Sequence, residues 1–242
     1  MNTLGLILAS NIIISLISFV GIATLLRKSL LTQKNIHILV SFAAGVMLTT
    51  AFFDVLPEAF SNLQINSGLK WVFCSIIVSF LIEKFIWHHH HHNDTHGAHP
   101  TTVLILLGDG IHNFVDGLTI AASFLVSPSL GFATTLAIIA HEIPQELADF
   151  TILVNSGIHR NKALFLNFLS ALSAVAGGLI GYYFLKQTEL FTHAILAAAG
   201  GIFIYIATAD LIPELHKDQN HSTISEQIIP FIVGIVLILV LA

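Results

Sequence analysis

Residues 108–117, G-D-G-I-H-N-F-V-D-G, set two carboxylates, an imidazole and an amide inside an apolar run from Val103 to Val126. Asp109, His112, Asn113 and Asp116 recur at i, i+3, i+4 and i+7. On a helix they share an arc of about 100°, which is one face. Hydrocarbon cannot satisfy such a face, so it must meet a second polar surface, water or a cation. A second apolar run carries His141-Glu142-Ile143-Pro144-Gln145-Glu146 and then Asp149. Its five polar side chains cover roughly 140° of a helix. Two helices with such faces at mid-membrane depth most economically face each other around a divalent metal ion.

The donor types narrow the ion. Neutral imidazole with carboxylates suits Zn2+ and its first-row neighbours, whereas Ca2+ or Mg2+ calls for oxygen alone. His112 and Asp116 are one helical turn apart, as are His141 and Gln145, and Glu142 and Glu146. Each pair can therefore reach a single ion, and Asn113 adds a neutral oxygen. Carboxylates crowded in a low dielectric repel one another unless cations or protons compensate, which argues for one or two ions. Pro144 removes one backbone hydrogen bond and displaces the carbonyl of Ala140 beside the cluster. A helix broken there is tolerated where it lines a cavity.

Three functions compete. Interhelical polar contacts explain one or two such residues, not nine over two helices. An intramembrane zinc metalloprotease is the alternative, because H-E-x-x-H on a helix is the zincin pattern. Gln145 stands where its second histidine should be. A metal permeation path uses every feature, and no enzyme activity is expected. Outside the two helices, Met47 reads as span packing or a soft ligand on the path. Glu83 and Glu189 read as span-end charges, and His37 and His193 as interfacial residues.

The elements that hold these residues follow from composition. The chain has 242 residues, is 55% hydrophobic and only 10% charged, with mean hydropathy +0.86. A soluble domain carries about 25% charged residues, so this is an all-α polytopic membrane protein in contact with lipid. Formal charge is −5 without a basic run, which excludes nucleic acid as a partner. The single cysteine, Cys74, forms no internal disulfide. Eight spans are predicted, at 3–26, 36–60, 69–87, 101–126, 130–155, 163–186, 190–213 and 226–242, the second interrupted by Asp54, Pro57 and Glu58. The first lacks a preceding positive charge and reads as a span, not a cleaved signal peptide. Arg27, Lys28, Lys34, Lys84, Arg160, Lys162 and Lys217 flank odd-numbered loops, against Lys70 and Lys186 in even ones. Odd loops are therefore cytoplasmic and both termini lie outside, with the cell membrane of a prokaryote as the expected location.

Two further patterns stand out. Residues 51–58, A-F-F-D-V-L-P-E, resemble 207–214, A-T-A-D-L-I-P-E, and Ala43 and Gly45 match Ala199 and Gly201 at the same offset of 156. The two copies run in opposite directions, an inverted repeat of the kind found in alternating-access transporters. It sets Asp54 and Glu58 at the outer end and Asp210 and Glu214 at the inner end. The third loop, about 88–100, holds His88, His89, His90, His91, His92, His96 and His99. Imidazoles so dense and aperiodic are expected to be mobile and to bind transition metals weakly.

H-N-F-V-D-G, H-E-I-P-Q-E-L-A-D-F, the His-rich loop and F-F-D-V-L-P-E together resemble the ZIP (Zrt/Irt-like) family of metal transporters over essentially the whole chain, 1–242, as a single domain. The similarity is greatest to the branch reading H-E-x-P-H-E in the fifth span, with Gln145 in place of its second histidine. The resemblance implies Zn2+ (with Fe2+, Mn2+ or Cd2+ as alternatives) moving into the cytoplasm, without an organic cofactor. It implies a binuclear centre using His112, Asn113, Asp116, His141, Glu142 and Gln145. Asp109, Glu146, Asp149, Met47, Asp54, Glu58, Asp210 and Glu214 would then support or line the path. It further implies a bundle of spans 1, 4, 5 and 6 moving against 2, 3, 7 and 8, often in a homodimer. Small-residue steps Ala174/Gly178 and Gly177/Gly181 permit close helix contact in the sixth span.

Overall fold

The computed structural model describes residues 2–21, 32–91, 99–217 and 223–241, and all of the secondary structure among them is helical. Helix α1, Thr3–Val20, starts at Asn2, whose side chain accepts the Gly5 N–H, and closes in a 3-10 turn. Helix α2 spans 33–62 and begins at Thr32, which caps it by accepting the Asn35 N–H. Helix α3 is Ile65–His91, α4 His99–Val126 and α5 Pro128–Asn155. Helix α6, Arg160–Leu185, is interrupted at Leu172. Helix α7 covers 189–217 and α8 is Ile224–Leu241.

Among the described residues, six of these helices are long and apolar enough to cross a membrane. The other two, α4 and α5, have 28 residues each, about 42 Å at 1.5 Å per residue. They carry the charged residues of the site.

The repeat is visible in the backbone. The α-helical part Gln33–Thr49 of α2 leads into a π-helical turn, Thr50–Val55. The part Glu189–Tyr205 of α7 leads into a π-helical turn, Ile206–Leu211, each at an offset of 156. The shared D-x-x-P-E pattern explains both turns. Pro57 and Pro213 cannot donate a backbone hydrogen bond and crowd the preceding turn, so the helix widens there and continues. The expected interruption of α2 is therefore a bulge. The equivalent glycines make equivalent approaches: a Cβ on Gly45 would lie 2.2 Å from the Phe231 carbonyl oxygen of α8, and one on Gly201 2.6 Å from the Val72 carbonyl oxygen of α3.

Other expectations are corrected. Helix α5 runs unbroken through Pro144. Helix α3 continues through His91, so His88 to His91 extend a helix and are not a loop, and His99 already belongs to α4. His92 and His96 lie outside the described residues, as do 22–26 of the first span. His37 and His193, each in the first turns of its helix, are buried against protein.

Helices α4 and α5 meet at one residue, Ser127, which accepts the Leu130 N–H and is followed by Pro128 at the first helical position. Ser123 Oγ donates to Thr134 Oγ1 across the corner at 3.0 Å. Antiparallel helices bring together residues equidistant from their corner. His112 and His141 are 15 and 14 residues from Ser127, and Asp109 and Gln145 are each 18. At 1.5 Å per residue the histidines lie about 22 Å from the corner. Helix α6 locks against α4 through reciprocal glycines. A Cβ on Gly117 would sit 1.9 Å from the Ala174 carbonyl oxygen, and one on Gly177 2.0 Å from that of Phe114.

Candidate metal centre

Four side chains converge where α4 and α5 face each other. One donor atom from each of His112, Asp116, His141 and Glu142 lies within 4.8 Å of all the others. His112 Nε2 is 3.2 Å from His141 Nε2, 3.4 Å from Glu142 Oε1 and 3.8 Å from Asp116 Oδ2. His141 Nε2 is 3.3 Å from Asp116 Oδ2 and 3.7 Å from Glu142 Oε1. A tetrahedral Zn2+ site with bonds near 2.0–2.2 Å has edges of about 3.3–3.5 Å. Five of the six separations, 3.2–3.8 Å, bracket that value and the sixth, Asp116 to Glu142, is within 4.8 Å, so the four donors could close on a single ion.

The electrostatics agree. Asp116, His141 and Glu142 are fully buried. Asp116 Oδ2, both Glu142 oxygens and Asn113 Oδ1 have no hydrogen-bond partner. An orphaned buried acceptor costs about 1–3 kcal/mol, more when charged, so this set needs protons or a cation. His141 Nδ1 lies 3.0 Å from the Ala137 carbonyl oxygen. A carbonyl only accepts, so Nδ1 carries the hydrogen and Nε2 turns its lone pair into the cluster.

The remaining residues of the two polar faces have other duties. Asn113 Nδ2 donates to Asp109 Oδ1 at 2.9 Å and to the Asp109 carbonyl at 3.2 Å. Ser170 Oγ of α6 donates to Asp109 Oδ2. Glu146 Oε2 accepts from Asn167 Nδ2 of α6, while its Oε1 is buried without a partner, and no Glu146 oxygen belongs to the quartet. Gln145 sits beside the Asp109 carboxylate, outside the four-atom cluster. Met47 is fully buried in the apolar core on α2. At the equivalent position on α7, Phe203 packs its ring 6.2 Å from that of His141.

One cavity reaches the quartet at His112, and a second lies at the corner of α4 and α5. The first, of about 590 Å³, is lined by His112, Asp109, Gln145, Asp149, Glu83 and Asp210, among others. The second, of about 290 Å³, is lined by Asp54, Glu58, Ser127 and Ser129. The repeated acidic pairs thus belong to different cavities, although Glu214 does not line the first. Glu58 lies 3.8 Å from His193 Nε2, and Asn62 also contacts that nitrogen.

Asn167, Ser170 and Ser173 of α6 were not foreseen; their signal is a polar stripe at i, i+3 and i+6 in an apolar span. Ser173 Oγ donates to the Gly110 carbonyl. Glu83 is more than a span-end charge, since Tyr205 donates to it across the larger cavity.

Comparison with known proteins gives matching results. The chain matches the ZIP zinc transporter family model over residues 3–103 and 88–242. It is 44% identical over 131 residues to the metal cation symporter ZIP14 of Bos taurus, covering 54% of this chain and 26% of that protein. Against ZIP14 of Homo sapiens the identity is 43% over 134 residues, again 54% and 26%. The zinc transporter ZIP10 of Danio rerio is 42% identical over 118 residues, 48% of this chain and 14% of its own length. The matched segment thus spans about a quarter or less of these relatives.

Proposed function

The chain belongs to the ZIP zinc transporter family, and on that premise we propose that it carries divalent transition-metal cations, Zn2+ foremost, across a membrane into the cytoplasm. Fe2+, Mn2+ and Cd2+ are the alternative cargoes. The observation that carries this is the buried quartet His112, Asp116, His141 and Glu142, spaced for a tetrahedral cation and short of hydrogen bonds. The second imidazole at this cluster comes from α4 and not from position 145, which leaves the α5 helix without a zincin ligand pair.

The path runs from the Asp54/Glu58 cavity to the quartet, then past Asp109, Gln145 and Asp149 to Asp210. Counting α4 and α5 as crossings makes eight spans, with both termini outside by the positive-inside rule. The reciprocal glycine contacts lie within the set α1, α4, α5, α6 and within α2, α3, α7, α8. That supports two bodies moving against each other, as expected for alternating access between repeats. Asn113 Oδ1 and Glu142 Oε2 remain as oxygens for a second ion beside the first.

The test is uptake of Zn2+ into proteoliposomes. Asp116→Ala and His141→Ala should each nearly abolish uptake, because each removes a ligand and leaves other buried charge uncompensated. Wild-type uptake by both variants at equal incorporation would overturn the assignment.

A further inference from the structure

The larger cavity has a character that a metal path does not require. Most of its wall is apolar, with Trp71 and Val78 on α3, Ile111 on α4, Ile152 on α5 and Ile202 on α7. Trp71 is 45% and Ile111 57% exposed, so this wall of the cavity is not sealed by other parts of the protein. Only 6% of the apolar stretch of α3 is buried inside the protein. Large apolar side chains exposed on membrane-spanning helices face acyl chains, so the cavity opens sideways between α3 and α4 to the lipid.

Its far end is acidic. Glu83, Asp109, Asp149 and Asp210 line the cavity, and no Lys or Arg does so among the described residues. Trp71 and Glu83 are 12 residues apart on α3, about 18 Å along the helix. An apolar slot of that length, open to lipid and closed by carboxylates, complements a molecule with an apolar body and one ammonium group.

We propose that this crevice binds an amphiphilic amine entering from the bilayer. Its ammonium sits among Asp109, Asp149 and Asp210, and its chain lies along Val78 and Ile111 toward Trp71. These carboxylates also line the proposed metal path, so the bound amine blocks metal release. Binding itself rests on the shape and charge of the cavity; only the block rests on the transport reading.

The experiment uses Trp71 as reporter. The chain has two tryptophans, so Trp87→Phe in lipid nanodiscs leaves Trp71 as the only emitter. It is titrated with chain-brominated dodecylamine and, separately, with dodecanoate brominated at the same carbon. Saturable quenching by the amine, at least ten-fold tighter than by the carboxylate and weakened by excess Zn2+, is expected. Val78→Phe with Ile202→Phe should fill the slot and remove the saturable phase while Zn2+ binding persists. Should that double variant not fold, the comparison of head groups in the parent still decides. Non-saturable quenching that is equal for both head groups would show partition into lipid alone and overturn the proposal. Neither readout needs transport, so a failed uptake assay leaves this result standing.

Discussion

His141 is oriented by its own helix, since its Nδ1 hydrogen is held by Ala137 one turn away. One turn on, at position 145, the chain has a glutamine where a third imidazole would stand near the ion. Its neutral amide binds a borderline-soft cation more weakly than imidazole does, and it does not titrate near neutrality. Gln145→His would add an imidazole one turn from His141, on the cavity side beside Asp109. Zn2+ affinity is expected to rise. Because protonated imidazole repels the cation, affinity should fall more steeply than in the parent as pH drops from about 7.5 to 5.5. Slower release should hold the maximal rate level or lower it. Zinc titration and uptake at pH 6 and 7.5 check this, and unchanged affinity at both would remove position 145 from the ion's reach.

At the scale of elements, the site depends on α6 as much as on the two ligand helices. Ser170 and Asn167 each bond one oxygen of Asp109 and Glu146, carboxylates that stand outside the quartet. The α4–α6 contact that delivers them has no room for a side chain at Gly117 or Gly177. Gly117→Ala places a Cβ against the Ala174 carbonyl, so the helices must part. A loss of about 1–3 kcal/mol in stability is expected from such overpacking. It should appear as a lower midpoint in thermal unfolding of the purified protein, with reduced Zn2+ uptake because Ser170 retreats from Asp109. Ala at Gly157, where nothing lies within 4 Å but φ is +87°, is the control for backbone strain without a helix contact.

At the scale of the molecule, one acidic cavity reaches the buried cluster and another lies at the α4–α5 corner, and two π-helical turns 156 residues apart carry Asp54 and Asp210. Direction depends on which cavity faces the cytoplasm. Under the orientation proposed above, lysine and arginine placement puts Asp210 inside and Asp54 outside. In a Cys74→Ser background, a membrane-impermeant maleimide added to intact cells should label Asn2→Cys and spare Asn161→Cys. Permeabilised cells should show both. The reverse pattern in intact cells would invert the transport direction.

Class, helical character and the two polar faces were legible in the chain because they depend on local rules. Hydropathy over about 20 residues marks a span, 3.6-residue periodicity gathers Asp109, His112, Asn113 and Asp116, and lipid forbids leaving them unpartnered. The repeated D-x-x-P-E pattern was legible too, but that both copies widen into π-helical turns, where an interruption of α2 alone was expected, came from the structure. Which of the nine polar side chains form the quartet was a tertiary matter. It follows from the single-residue corner at Ser127, which sets the register of α4 on α5. It follows also from α6, whose Asn167 and Ser170 claim Glu146 and Asp109. Glu83 took its place in the cavity wall only once α7 brought Tyr205 to it, from 122 residues away. Periodicity says which way a side chain faces along its own helix; what it meets there depends on a helix distant in the chain.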